Sequence, residues 1–66
     1  MFVEFNDKWI NSDYIVKVSA ECDSYGSCVQ MFVAEGNEGW IYVERCKSDL
    51  LAAVRLADII TLLNGA

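Results

Sequence analysis

Cys22, Cys28 and Cys46 are the side chains of this chain best suited to chemistry, and no histidine accompanies them. A thiolate can act as a nucleophile, a metal ligand or half of a disulfide. An odd number of cysteines, with no C-x-x-C pair, suits a reducing compartment better than a disulfide framework. Zinc would need a fourth ligand, from a carboxylate or a second chain. Small cysteines are common core residues, so three free, unligated thiols are expected, with Cys46 partly buried where the last strand meets the helix. Cys22 and Cys28 flank the loop Asp23-Ser24-Tyr25-Gly26-Ser27, which sets them facing each other across a hairpin.

Carboxylates are the remaining candidates. Asp13 or Asp23 could pair with another acid for proton transfer, but acids at such positions ordinarily belong to turns and exposed strand faces. The chain has no G-x-S-x-G, no phosphate-binding G-x-x-x-x-G-K-S/T and no H-E-x-x-H. Gly36-Asn37-Glu38-Gly39 lacks the strand-to-helix setting of a phosphate cradle and reads as a hairpin turn. The expectation is a protein that is not an enzyme and carries no cofactor and no metal.

Charge and hydropathy narrow the partners. Ten acidic against five basic residues give a net charge of −5, which argues against direct nucleic-acid binding, whose footprint is a basic face. The start Met1 to Asp7 shows no basic leader followed by an apolar stretch, and the most apolar helix candidate, Leu50 to Leu63, is interrupted by Arg55 and Asp58. It falls short of the roughly 20 residues that cross a bilayer. A cytoplasmic protein with no membrane contact is expected.

These groups must be positioned by short elements. Phe2-Val3-Glu4-Phe5 and Lys8-Trp9-Ile10 are apolar runs joined by Asn6-Asp7, a tight hairpin. Asn11-Ser12-Asp13 reads as a turn, with Asn11 and Asp13 bonding its backbone and Trp9 and Ile10 packing against the sheet or helix. Tyr14, Val16, Val18 and Ala20 then share one strand face and Lys17, Ser19 and Glu21 the other, with Ile15 breaking the polar side. A strand from Ser27 to Ala34 buries Val29, Met31 and Val33, and Trp40 to Glu44 forms the last strand. Ser48 is a good N-cap, Asp49 suits the first helical turn, and Asn64-Gly65 supplies a stop. The whole is one α+β domain over residues 1–66: a small antiparallel β-meander of four to five short strands, then one C-terminal α-helix packed on one face.

That helix is the most informative segment. At 100° per residue, Leu50, Ala53, Leu56, Ala57, Ile60 and Leu63 form a broad stripe that can cover the sheet. Leu51 and Leu62 fall opposite, beside Arg55 and Asp58, where a solvent-facing helix is normally polar. The chain is 55% hydrophobic in 66 residues, and so short a chain buries only about 60% of the surface its unfolded form exposes. Leu51, Arg55, Asp58 and Leu62 are therefore the expected interface of a homodimer, with the leucines central and the charges at the margin.

The segment Trp9 to Val18, with its Asn11-Ser12-Asp13 turn and Ile15, resembles the INPD-x-I segment of a diffuse group of small bacterial and phage proteins. That group includes the flagellar-operon FlbD-like family. The likeness extends over most of the chain: an N-terminal strand, the Ile15-Val16 strand, a Gly36 to Gly39 hairpin and a helix after Ser48. Ser12 stands where the family pattern has proline, the early Leu-Asn-Gly turn is missing, and the Cys-flanked loop is foreign to the flagellar proteins. The resemblance implies a compact, non-enzymatic accessory protein, often phage- or prophage-encoded, that binds another protein. Together with the residues it yields a homodimeric protein-binding module, a phage-type inhibitor or modulator of a host protein system. The alternatives are a motility or regulatory accessory of FlbD-like type and a thiol-ligated metal protein.

Overall fold

Every second residue of the first two strands, Phe2–Phe5 (β1) and Lys8–Asn11 (β2), points inward, burying Val3, Phe5 and Ile10. The structure is a computed structural model that describes residues 1–65. Asn6 and Asp7 join β1 to β2 with φ angles of 50° and 63°. This left-handed pair has the twist that closes a two-residue hairpin, and Asn and Asp tolerate it better than other residues bearing a side chain. In the resulting ladder Val3 lies opposite Ile10 and Glu4 opposite Trp9. Trp9, expected to pack inward, instead stands on the outward side at 69% exposure, because neighbours on a strand point to opposite faces and Ile10 takes the inward one.

A 3-10 turn, Ser12–Tyr14, redirects the chain. Asn11 Oδ1 accepts the Asp13 N–H at 3.0 Å, and the Ser12 N–H donates to the Met1 carbonyl at 2.9 Å. The polar trio ends one strand and aims the next as expected, but the capping side chain belongs to Asn11; Asp13 supplies its backbone N–H.

Three long strands follow, Ile15–Asp23 (β3), Gly26–Glu35 (β4) and Glu38–Arg45 (β5), in antiparallel order β3-β4-β5. A bulge between Ile15 and Lys17, which pair with Val33 and Phe32, makes Val16 an extra residue. Its consequence corrects the simple alternation: Ile15 and Val18 both pack against the core, while Val16 is 70% exposed. Val29, Met31 and Val33 of β4 are buried as their spacing requires.

The helix, Asp49–Gly65 (α1), begins where Ser48 accepts the Leu51 N–H on its hydroxyl at 3.1 Å. Asp49 lies in the first turn, where its carboxylate also accepts the Ser27 hydroxyl. Helical structure runs through Asn64 and Gly65 rather than stopping before them. The hairpin and α1 cover the same face of the sheet, and one core gathers Val3, Phe5 and Ile10, the three β4 residues, and Ala52 and Ile59.

The rotation of α1 differs from the expected stripe. Ala52 and Ile59 are buried and Leu63 packs beside them, whereas Leu50, Ala53, Ala57 and Ile60 are exposed. The inward side thus lies roughly a quarter turn from the stripe of highest apolar density. A helix that is apolar almost all round has no polar side to fix its rotation. Small Ala52 allows close approach to the sheet, and Arg55 anchors the choice.

Candidate protein interface

Arg55 is held within its own chain. Its Nε and Nη2 donate to the two Glu44 carboxylate oxygens at 3.1 and 3.2 Å, and Nη2 also donates to the Glu4 carbonyl at 2.8 Å. The guanidinium lies 5.9 Å from the centre of the Phe5 ring. Glu44 in turn accepts the Asn6 N–H at 3.1 Å, while Asn6 Nδ2 donates to the Val43 carbonyl. One two-pronged ion pair therefore joins the helix, β5 and the hairpin tip, an arrangement that arginine's fork geometry favours. This corrects the placement of Arg55 at an outward margin beside Asp58. Glu44, which no spacing rule singled out, is its partner.

Leu51, Asp58 and Leu62 do come together, on one exposed flank of α1 at intervals of seven and four residues. The outermost side is a stripe absent from the sequence reading: Leu50, Val54, Ala57 and Thr61, with Leu50 at 73% exposure. Its signal was the 4-3-4 spacing, hidden because a second apolar stripe of similar spacing competes with it. Thr61 donates its hydroxyl to the Ala57 carbonyl at 2.9 Å, which satisfies that group on the helix's own backbone. Beyond the first turn, Asp58 is the one charged side chain on the outward half.

Two further apolar surfaces flank the sheet. A depression of about 540 Å³ on its far side is lined by Val16, Phe32, Ala34 and Ile41, among others. A groove of about 300 Å³ runs between the hairpin and the sheet, with both tryptophans and two of the three tyrosines among its walls. Neither carries a constellation for bond chemistry.

The thiols are separated by strand geometry. Cys22 pairs with Ser27 and Cys28 with Glu21, so the two cysteines sit on opposite faces of the sheet rather than facing across the hairpin. Cys22 is exposed, Cys28 is buried away from the main core, and Cys46 is partly buried against that core at the strand-to-helix junction, as expected. Burial pushes the Cys46 thiol above its usual pKa, and the nearby Glu44 carboxylate adds to the shift. Among the described residues no cluster of three Cys, Asp or Glu side chains is arranged to hold a metal ion, and no helix is long and apolar enough to cross a membrane. Asp23 accepts from Arg45 at 2.6 Å and from the Tyr25 N–H at 2.9 Å, and the guanidinium holds its carboxyl below the usual range.

No protein-family model matches the chain, and no curated protein or solved structure is significantly similar to it.

Proposed function

We propose that this chain is a non-enzymatic protein-binding module that pairs with a second copy through the outward side of α1 and, in that form, modulates another protein. One observation carries the reading: Leu50, Leu51, Val54, Ile60 and Leu62 are all exposed on a helix whose opposite side already covers the core. Withdrawing each such aliphatic side chain fully from water is worth about 1.5–3 kcal/mol. A 4-3-4 stripe is self-complementary in an antiparallel two-fold contact, where each copy offers the same patch. Asp58 falls at the margin of that contact. Arg55 keeps its intramolecular partner, so the association rests on the aliphatic side chains. Three unpaired thiols suit a reducing compartment such as the cytoplasm.

Sedimentation equilibrium across the micromolar range tests this. The expected mass is twice the 7.4 kDa of one chain, and the Leu51→Glu, Leu62→Glu double variant is expected to be a folded monomer because neither residue belongs to the core. A wild-type mass of 7.4 kDa at every accessible concentration overturns the homodimer. The narrower reading, a phage-type inhibitor of a host system, is supported by the resemblance of the Asn11 to Ile15 segment. A gene neighbourhood of phage early genes favours it, and one of flagellar genes favours the motility accessory. Stoichiometric zinc in protein purified without added metal, lost on changing any one cysteine, would replace both with a thiol-ligated metal protein.

A further inference from the structure

We propose that the aromatic groove between the hairpin and the β4–β5 end of the sheet binds an extended, proline-rich segment of another protein that carries a basic residue beside its prolines. This surface is distinct from the outward side of α1. Phe2, Trp9 and Tyr14 approach from the hairpin side, and Trp40 and Tyr42 from β5. Trp40 and Tyr42 meet edge to face with ring centres 6.2 Å apart, which fixes one wall. Opposite them Trp9 and Phe2 stand well exposed, although burying a large ring is among the strongest gains a surface residue can make.

The chemistry of the walls selects the occupant. Indole N–H and tyrosine O–H groups are donors, so the groove offers hydrogen bonds to a ligand rich in acceptors. A polyproline II segment is such a ligand: its carbonyls are free, its prolines carry no N–H, and it loses little entropy on docking because it is already extended. Flat proline rings pack on aromatic faces, the mode by which aromatic-lined grooves read such segments. Charge gives the flank. Glu35 lines the groove, Glu38 lies directly opposite it in the β4–β5 ladder, and Glu4 lies opposite Trp9. No Lys or Arg is among the lining residues. A basic residue next to the prolines is attracted by these acids and by the aromatic faces, whereas a phosphate backbone is repelled. The occupant is not a segment of this chain, which contains no proline.

Both tryptophans line the groove, so intrinsic fluorescence reports occupancy directly. The probe is a short synthetic peptide with Pro-x-x-Pro spacing and an arginine pair at one end. Saturable fluorescence change is expected, weakened as salt is raised. Trp9→Ala should lower the affinity at least about tenfold, as for an aromatic anchor, with an unchanged Tm since Trp9 is outside the core. Glu35→Lys should also weaken binding, and the Leu51→Glu, Leu62→Glu variant should bind as the wild type does, which separates this site from the helix contact. The proposal is overturned by unchanged fluorescence and amide shifts at millimolar peptide. Equal binding of a peptide with alanine for proline overturns it as well. So does saturation by tetramethylammonium alone, or a fluorescence change that follows protein concentration without peptide and so marks a second copy as the occupant.

Discussion

The hairpin and the helix lie on the same face of one sheet, and their inward sides do the same work with similar residues. Phe5, Val3 and Ile10 from one, and Ile59 and Ala52 from the other, close a single core. Their outward sides diverge. The helix shows aliphatic side chains with Asp58 as the one charge on its outward half beyond the first turn, a surface suited to a second copy of itself across a two-fold axis. The hairpin shows Phe2 and Trp9 with Glu4 beside them, bordering a groove with three more aromatics, Tyr14, Trp40 and Tyr42, and Glu35. Exposed apolar surfaces of different chemistry thus call for different partners, since aliphatic faces recognise shape alone, whereas aromatic rings with donors and flanking acids also recognise charge and acceptors.

The sharpest way to break the comparison is to invert it, by truncating inward and outward residues on both elements. Phe5→Ala should cost about 3–5 kcal/mol and Ile59→Ala about 2–5 kcal/mol, because both side chains are fully buried and leave a cavity. Trp9→Ala and Leu50→Ala should each change the stability of the monomeric state by no more than about 0.5 kcal/mol. Urea unfolding of the four variants, on the monomeric Leu51→Glu, Leu62→Glu background, decides the point. A large loss at Trp9 would place it in the core and remove the outward groove.

Arg55 joins the two elements, so its removal tests whether they act as one body. Arg55→Ala leaves the partly buried Glu44 without its cation and should cost about 1.5–3 kcal/mol. Amide exchange should rise in the hairpin as well as in α1, since the Glu4 carbonyl and Asn6 belong to the same network. Exchange confined to the helix would show that the hairpin is held by its apolar contacts alone.

Asn11→Ala should cost about 0.5–2 kcal/mol, by analogy with helix caps. Asp13→Ala should be close to neutral in thermal melts, since the Asn11 side chain does the capping. The reverse ranking would restore Asp13 as the capping side chain.

The smallest effect lies at the tip of the β3–β4 hairpin. Asp23 has its carboxyl pKa lowered by Arg45, so the pair adds stability above the ordinary carboxylate pKa and loses it as pH falls through the lowered folded value. Asp23→Asn should flatten that part of the acid limb of the Tm profile, with the two curves converging at low pH. The pair is exposed and screened, so neutral-pH stability should barely move.

Local chemistry made much of this architecture readable from the chain. Asn6-Asp7 can close a two-residue turn, Ser48 can cap a helix, and Val29, Met31 and Val33 alternate with period two; each signal concerns residues within a few positions of one another. The candidate interface was half readable. Leu51, Asp58 and Leu62 share a flank because helical spacing alone puts them there, whereas Glu44 and the groove aromatics come from segments up to about forty positions apart and announce no pattern.

What the sequence by itself determined is therefore the order and kind of the elements, their turns and the apolar surplus that asks for partners. Only the tertiary structure decided which side of each element faces in. The bulge at Val16 reversed the parity that strict alternation would impose, and it turned Ile15 from an intruder into a partly buried residue packed against the core. The helix offered nearly equal apolar sides, so its rotation depended on contacts that the helix does not contain: the closeness Ala52 permits against the sheet, and the Glu44 carboxylate waiting for Arg55 across eleven residues of chain. Period and propensity act locally, but when two faces of an element are equally apolar the choice between them belongs to the surface it lands on.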